Sequence, residues 1–324
     1  PNAFRPLVIL DDEDPWGMRV ESYRDVAGAF ELMAPDRGAR FSGVTSTPLP
    51  SVRVIEDGAV RVVIEAVFEY EDSQICQSYI LPRSGSAFEV ETRVFWSEKN
   101  RMLKLSVPLA FEGRFLGQVA YGREELPDKG REMVAQKWVA VAENDGHAIT
   151  CLNAGSYASD YCDGELRLTL LRSPAYSGHP IKDRPVVPQD RFLPRIDQGE
   201  RLFRFRFQGG PADSRLSAVD REALAFNEHP FALSFFPSGA GVPAQPGVLC
   251  DNPSVLVTAC KQAEDGDGWI VRLFEPEGLE KTATISLPAL GFETVVTLAP
   301  FEIRSLLISP DGTSVATVNL VEEE

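Results

Sequence analysis

Period-two alternation dominates this chain. In "FEVETRVFW", Phe88, Val90, Thr92, Val94 and Trp96 fall on one face and Glu89, Glu91 and Arg93 on the other, the pattern of a half-buried strand. "LFRFRF" at 202–207 repeats it, and "MLKLSV" at 102–107 extends it with Lys104 turned outward. "VRVVIEAVFEY" at 60–70 is rich in β-branched and aromatic residues, and 134–141, 148–152 and 166–171 read as further strands. In 166–171, strict alternation predicts Leu166, Leu168 and Leu170 on one face and Arg167, Thr169 and Leu171 on the other. Arg172 then ends the strand as a brace for nearby carbonyls or carboxylates.

Turn signals separate these runs: "EDG" at 56–58, "SGS" at 84–86, "NDG" at 144–146 and "DG" at 163–164. Long strands with such turns predict a large antiparallel sandwich. One helix breaks the pattern. In "SRLSAVDREALAFN" at 214–227, Leu216, Val219, Ala223 and Phe226 recur at helical spacing, with Ser214 or Ser217 as its cap. A Pro-rich loop fills 173–199, and "PSGAGVPAQP" at 237–246 has the composition of a linker. After it, short strands at hairpin spacing suit a small β-sandwich. The expected domains are 1–236, helix included, and 247–324.

Charge narrows the function. The 324 residues carry a formal net charge of −16, which argues against nucleic acid and against an anionic membrane surface as partners. No apolar run reaches the length of a membrane span, and no signal peptide is visible. A chain starting at Pro1 without methionine reads as a fragment or a processed product. Five cysteines without C-x-x-C spacing read as reduced thiols, so the expected location is cytoplasmic.

No chemical motif stands out. His147, His179 and His229 form no H-x-D or H-x-x-x-H pair, so no metal site is expected here. There is no G-x-S-x-G elbow and no phosphate loop. Glycoside hydrolysis needs two carboxylates across a sugar, and Glu124, Glu125, Asp160, Asp190 and Asp197 are loop acids near strand ends. Tyr157, Tyr161 and Tyr176 lie in polar loops and suit sugar stacking; Trp96 and Trp138 belong to strands, while Trp16, in "DDEDPWGM", is expected to be exposed.

A sequence of motifs then carries a resemblance. "YGREELP", "AQKWVAV", "ITCLNAGSYASDYCDGELRLTLLRSPAYSGHP" and "DQGERLFRFRF" follow one another in order. Together they resemble the C-terminal β-region of glycoside hydrolase family 38, the α-mannosidases. Trp138, Leu152, Asn153, Gly155, Tyr157, Leu166 to Pro174, Asp197, Gly199 and Phe203 carry the match, and "FEIRSLLI" resembles part of the terminal β-sandwich. The chain departs from the family at Glu124-Glu125-Leu126-Pro127, Ala154 and Arg201.

The resemblance implies an all-β chain: a galactose-mutarotase-like supersandwich plus a small C-terminal β-sandwich. It implies an α-mannoside-hydrolysing full-length enzyme, with zinc and an aspartate nucleophile in an N-terminal catalytic barrel that precedes this region. This segment would be non-catalytic and would pack on or frame the active site. Residues able to contact a mannose-containing carbohydrate are Tyr157, Asp160, Arg172, Tyr176, His179 and Asp197. A stand-alone carbohydrate-binding module and a mutarotase-like sugar enzyme are the alternatives.

Overall fold

The computed structural model describes the chain except residues 1, 2, 12, 13, 18, 19, 145, 177–189, 235, 237, 238, 240, 242–244 and 324. The fold is all-β, as expected, with its sheets built from antiparallel pairs. Two compact units result: residues up to Gly117 with Glu125–Arg215, and Gln118–Glu124 with the chain from Leu216 onward.

The first unit is a sandwich. One sheet has six strands in the order Met133–Val134, Ala158–Cys162, Glu165–Arg172, Arg101–Pro108, Arg5–Leu10 and Val26–Ala29. The other belongs to a ten-stranded sheet whose order within this unit is Arg114–Val119, Trp138–Ala142, His147–Asn153, Gly199–Pro211, Phe88–Trp96, Ser73–Pro82, Arg61–Tyr70 and Glu31–Leu32, with Val52–Asp57 also pairing Arg61–Tyr70. The alternating apolar residues of both sheets meet in one core. Leu103, Leu105, Leu166 and Leu168 come from the smaller sheet and Ile75, Val90, Val94, Trp96 and Phe205 from the larger. Burial of these side chains is the main drive for the fold.

The second unit holds a three-stranded sheet and a four-stranded sheet packed around Val271, Leu273, Ile285, Leu298 and Ile308. Its centre of polar order is Glu275, which is fully buried. The Glu275 carboxylate accepts backbone N–H bonds from Glu277 (2.8 Å), Gly278 (2.8 Å), Leu279 (3.1 Å) and Phe301 (3.0 Å).

The helix runs over Ala212–Asn227, and Ser214 and Ser217 lie within it rather than capping it. The Ser217 hydroxyl instead donates to Glu277 at 3.1 Å. From Leu216 the helix clusters with the second unit. The physical reason is side-chain anchoring: Arg123 donates to the Leu216 carbonyl at 2.9 Å, to the Pro276 carbonyl at 3.1 Å and to Asp220. Among the described residues, no helix is long and apolar enough to cross a membrane.

Candidate functional site

The smaller sheet is buried on both faces. Leu103 and Leu105 of the strand Arg101–Pro108 point into the sandwich core. Lys104 points the other way, as its alternation predicts, yet it is fully buried. Its Nζ donates to Asp160 at 2.5 Å and also binds Glu132. Asp160, likewise fully buried, binds Arg24 as well. Arg24 reaches Glu165 at 2.9 Å, Arg167 binds Glu165 at 2.8 Å, and Ser106 donates to the same carboxylate. Three cations and three carboxylates thus interlock on one face. Burial pushes the Glu165 carboxyl up, but Arg167, Ser106 and Arg24 together outweigh it and hold it below the usual range.

Cross-strand register explains this assembly. Lys104 stands opposite Thr169, Ser106 opposite Arg167, and Arg167 opposite Asp160. Period-two placement puts all five on the same face.

Arg172 reaches that face by a different route. The register between Glu165–Arg172 and Arg101–Pro108 slips between Thr169 and Leu171. Leu170 is the extra residue of a β-bulge, and bulges re-aim the side chains that follow. Leu171 therefore joins Leu166, Leu168 and Leu170 in the core, and does not face outward as strict alternation predicts. Arg172 is turned onto the side of Arg167 and Thr169.

There Arg172 acts as the expected brace. Its Nε and Nη2 each lie 2.8 Å from an oxygen of Asp11, and Nη2 also donates to the Asp14 carbonyl at 3.2 Å. The guanidinium carbon sits 4.7 Å from the Tyr23 ring centroid, a cation–π contact. Burial opposes the Arg172 charge, but Asp11 more than restores it and holds its pKa above the ordinary value. Burial also pushes the Tyr23 phenol up to about 12, with Arg172 pulling the other way.

Of the six candidate residues, the structure joins two directly: Asp197 Oδ2 accepts the Arg172 backbone N–H at 3.4 Å. Asp197 holds a left-handed φ of 52°. Tyr176 follows Arg172 closely in the chain, is 65% exposed, and donates its backbone N–H to Pro194 at 3.2 Å. Tyr157 is exposed, beside the short edge strand Met133–Val134. Asp160 is a buried strand residue, not a loop acid, because Lys104 and Arg24 neutralise it in place. Tyr161 is also buried, with its ring 5.7 Å from Phe115. His179 lies outside the described residues.

Sequence reasoning missed Arg24, Asp11, Tyr23 and Glu132. Arg24 and Asp160 are 136 positions apart and Asp11 and Arg172 are 161 apart. Only an isolated charge inside a strand, such as Lys104, signals such a network. The zinc that the resemblance implies finds no donor set here: among the described residues no group of three His, Cys, Asp or Glu could hold a metal ion. His147 is exposed and 4.0 Å from Glu143, and His229 is exposed.

Comparison with known proteins decides the family. Residues 11–188 match the Glycosyl hydrolases family 38 C-terminal domain, and residues 254–297 match the family 38 C-terminal beta sandwich domain. The first match covers more than half of the chain. The chain belongs to glycosyl hydrolase family 38. Alpha-mannosidase G of Dictyostelium discoideum is 23% identical over 266 residues, covering 75% of this chain and 23% of that protein. An alpha-mannosidase from Enterococcus faecalis V583 superposes with a TM-score of 0.71 at 13% identity, over 94% of this chain and 38% of that one. A second family 38 protein from Enterococcus faecalis gives 0.71 at 14% identity, over 94% and 40%. At such identities these structures share the fold. The family 38 chain spans less than half the length of each relative.

Proposed function

We propose that this chain is the C-terminal β-region of an α-mannosidase. In the full-length enzyme it packs on an N-terminal catalytic barrel and frames the active site, while zinc and the nucleophile belong to the barrel. The observation that carries this reading is the family 38 match over 11–188 together with the state of the carboxylates on the site face. Asp11, Asp160 and Glu165 are each held by an arginine or lysine. They support a scaffold that shapes loops, with the exposed Asp197 and Tyr176 as carbohydrate contacts and Arg172 as the brace of that strand end. The five cysteines are free thiols, which supports a cytoplasmic location.

The test is direct. The isolated chain, incubated with an aryl α-mannoside across a zinc series, is expected to release no aryl alcohol. The full-length protein is expected to turn over the same substrate. Turnover by the pure isolated chain would overturn the non-catalytic assignment.

A further inference from the structure

We propose that the cleft between the short helix Pro35–Phe41 and the loop that follows it binds a neutral polyhydroxyl ligand of hexose size. This rests on the carbohydrate reading above and adds a site built from other residues.

The loop is seated on the helix at both ends. Gly43, with φ +71°, ends the helix: its N–H donates to the Arg40 carbonyl at 3.2 Å, and the Val44 N–H donates to the Ala39 carbonyl at 2.8 Å. The far end returns to the start of the helix, where the Leu49 N–H donates to the Pro35 carbonyl at 3.2 Å. Arg53 ties the two ends together, donating to the Ser42 hydroxyl and to the Pro50 carbonyl, each at 3.2 Å. Gly38, on the buried side of the helix, lets it lie close to its sheet: a Cβ there would stand 3.3 Å from Val67 Cγ2. Between helix and loop a cavity of about 350 Å³ remains, within the range of small-molecule sites.

The lining carries both kinds of partner that a hydroxyl needs. Asp36 and Arg40 line the cavity from the helix, and Thr45, Ser46 and Thr47 from the loop. Asp36 and Arg40 are four positions apart, the spacing at which opposite charges pair along a helix. Among the described residues, however, neither side chain enters an ion pair or a hydrogen bond, and neither do the three loop hydroxyls. Arg37, on the same helix, is by contrast engaged, its Nε donating to Glu69 at 2.9 Å. The two open charges cancel, so an anion is opposed by Asp36 and a cation by Arg40. A ligand hydroxyl meets both demands at one oxygen: it donates to the carboxylate and accepts from the guanidinium. Hydrogen bonds to ionised groups are the strong ones. Adjacent hydroxyls of a polyol engage Asp36 and Arg40 together, the loop hydroxyls take the remaining ones, and Val44 and Pro48 offer apolar surface to its C–H groups. A zwitterion also matches one acid and one base, but it leaves the loop hydroxyls unused.

The experiment titrates the chain with methyl α-mannoside and, separately, with glycine, read by saturation-transfer NMR. The expected result is mannoside binding that weakens at least about tenfold, or 1.4 kcal/mol, in Asp36→Asn and in Arg40→Gln. Both side chains are exposed, so both variants are expected to keep the parent's urea midpoint. Arg37→Gln, at the arginine already held by Glu69, is expected to leave binding unchanged. Parent-like affinity in either site variant overturns the site, and so does an absence of mannoside binding. Both outcomes leave the mannosidase reading standing, since turnover by the full-length protein tests it separately. Glycine binding that depends on Asp36 and Arg40, without mannoside binding, overturns the polyol assignment and gives the cleft to a zwitterion.

Discussion

The Arg172 guanidinium meets the Asp11 carboxylate edge to edge, with two 2.8 Å bonds. The Asp11 side chain is fully buried and that of Arg172 is 17% exposed. Removing one partner strands a buried charge. Arg172→Ala is expected to cost about 3–5 kcal/mol of stability, measured by urea unfolding. Arg172→Lys keeps the charge but loses the planar fork, so it is expected to recover only part of that loss. Wild-type stability in Arg172→Lys would show that the fork is unimportant.

Lys104 and Asp160 make a second test of the same physics. Lys104→Met leaves Asp160 and Glu132 short of a cation, and a loss of about 3–5 kcal/mol is expected. The double variant Lys104→Met/Asp160→Leu removes both buried charges of the pair. It is expected to be more stable than Lys104→Met alone, and a double-mutant cycle checks this. Arg24 then retains Glu165 as its partner.

Acid should loosen the same face. The Glu165 pKa is held below its ordinary value in the folded chain. A depressed folded pKa contributes stability that is present above the unfolded pKa, about 4.3, and lost as pH falls through the folded value. Stability is therefore expected to fall as pH drops below about 4.3, and less steeply in Glu165→Gln. Denaturant titrations between pH 6 and pH 3, set as about those limits, compare the two slopes.

In the second unit, Glu275→Ala would leave four backbone N–H groups without their carboxylate. Each bond to a charged group contributes about 1.5–3 kcal/mol when water cannot substitute, and partial hydration of the turn lowers the sum. A loss of about 3 kcal/mol or more is expected. Amide hydrogen exchange should show it first at Glu277, Gly278, Leu279 and Phe301, with Lys104 and its neighbours still protected.

The strands at 60–70, 88–96, 102–107, 148–152, 166–171 and 202–207 were legible because their alternation is local, whereas Arg5–Leu10, Ser73–Pro82, Arg114–Val119 and Ala158–Cys162 went unread. The helix Ala212–Asn227 was legible apart from its first two residues, because its apolar spacing is local as well, and the short helix Pro35–Phe41 was not. What stayed hidden depends on a partner. The bulge at Leu170 exists only in register with Leu103 and Lys104, so no alternation within 166–171 reveals it. The predicted strand at 134–141 is two strands, Met133–Val134 and Trp138–Ala142. Asn153 holds the break between them: its side-chain amide donates to the Gln136 carbonyl at 2.7 Å and its backbone N–H to Lys137 at 3.0 Å. Asp160 looked like a loop acid because its cations are far away in sequence. Arg172, by contrast, showed its bracing role through its chemistry alone, and only its target was unreadable.

The strand Gly199–Pro211 lies between His147–Asn153 and Phe88–Trp96, the middle of the ten-stranded sheet, yet is the last of its strands to be synthesised. Until it emerges from the ribosome, the two flanking strands expose unpaired backbone edges. Such edges recruit other chains, and pairings this distant in sequence form slowly. Any nascent or truncated product ending before residue 199 therefore carries an open slot in its larger sheet. Chaperone demand during translation should peak in that window and drop once Phe205 and Phe207 fill the slot.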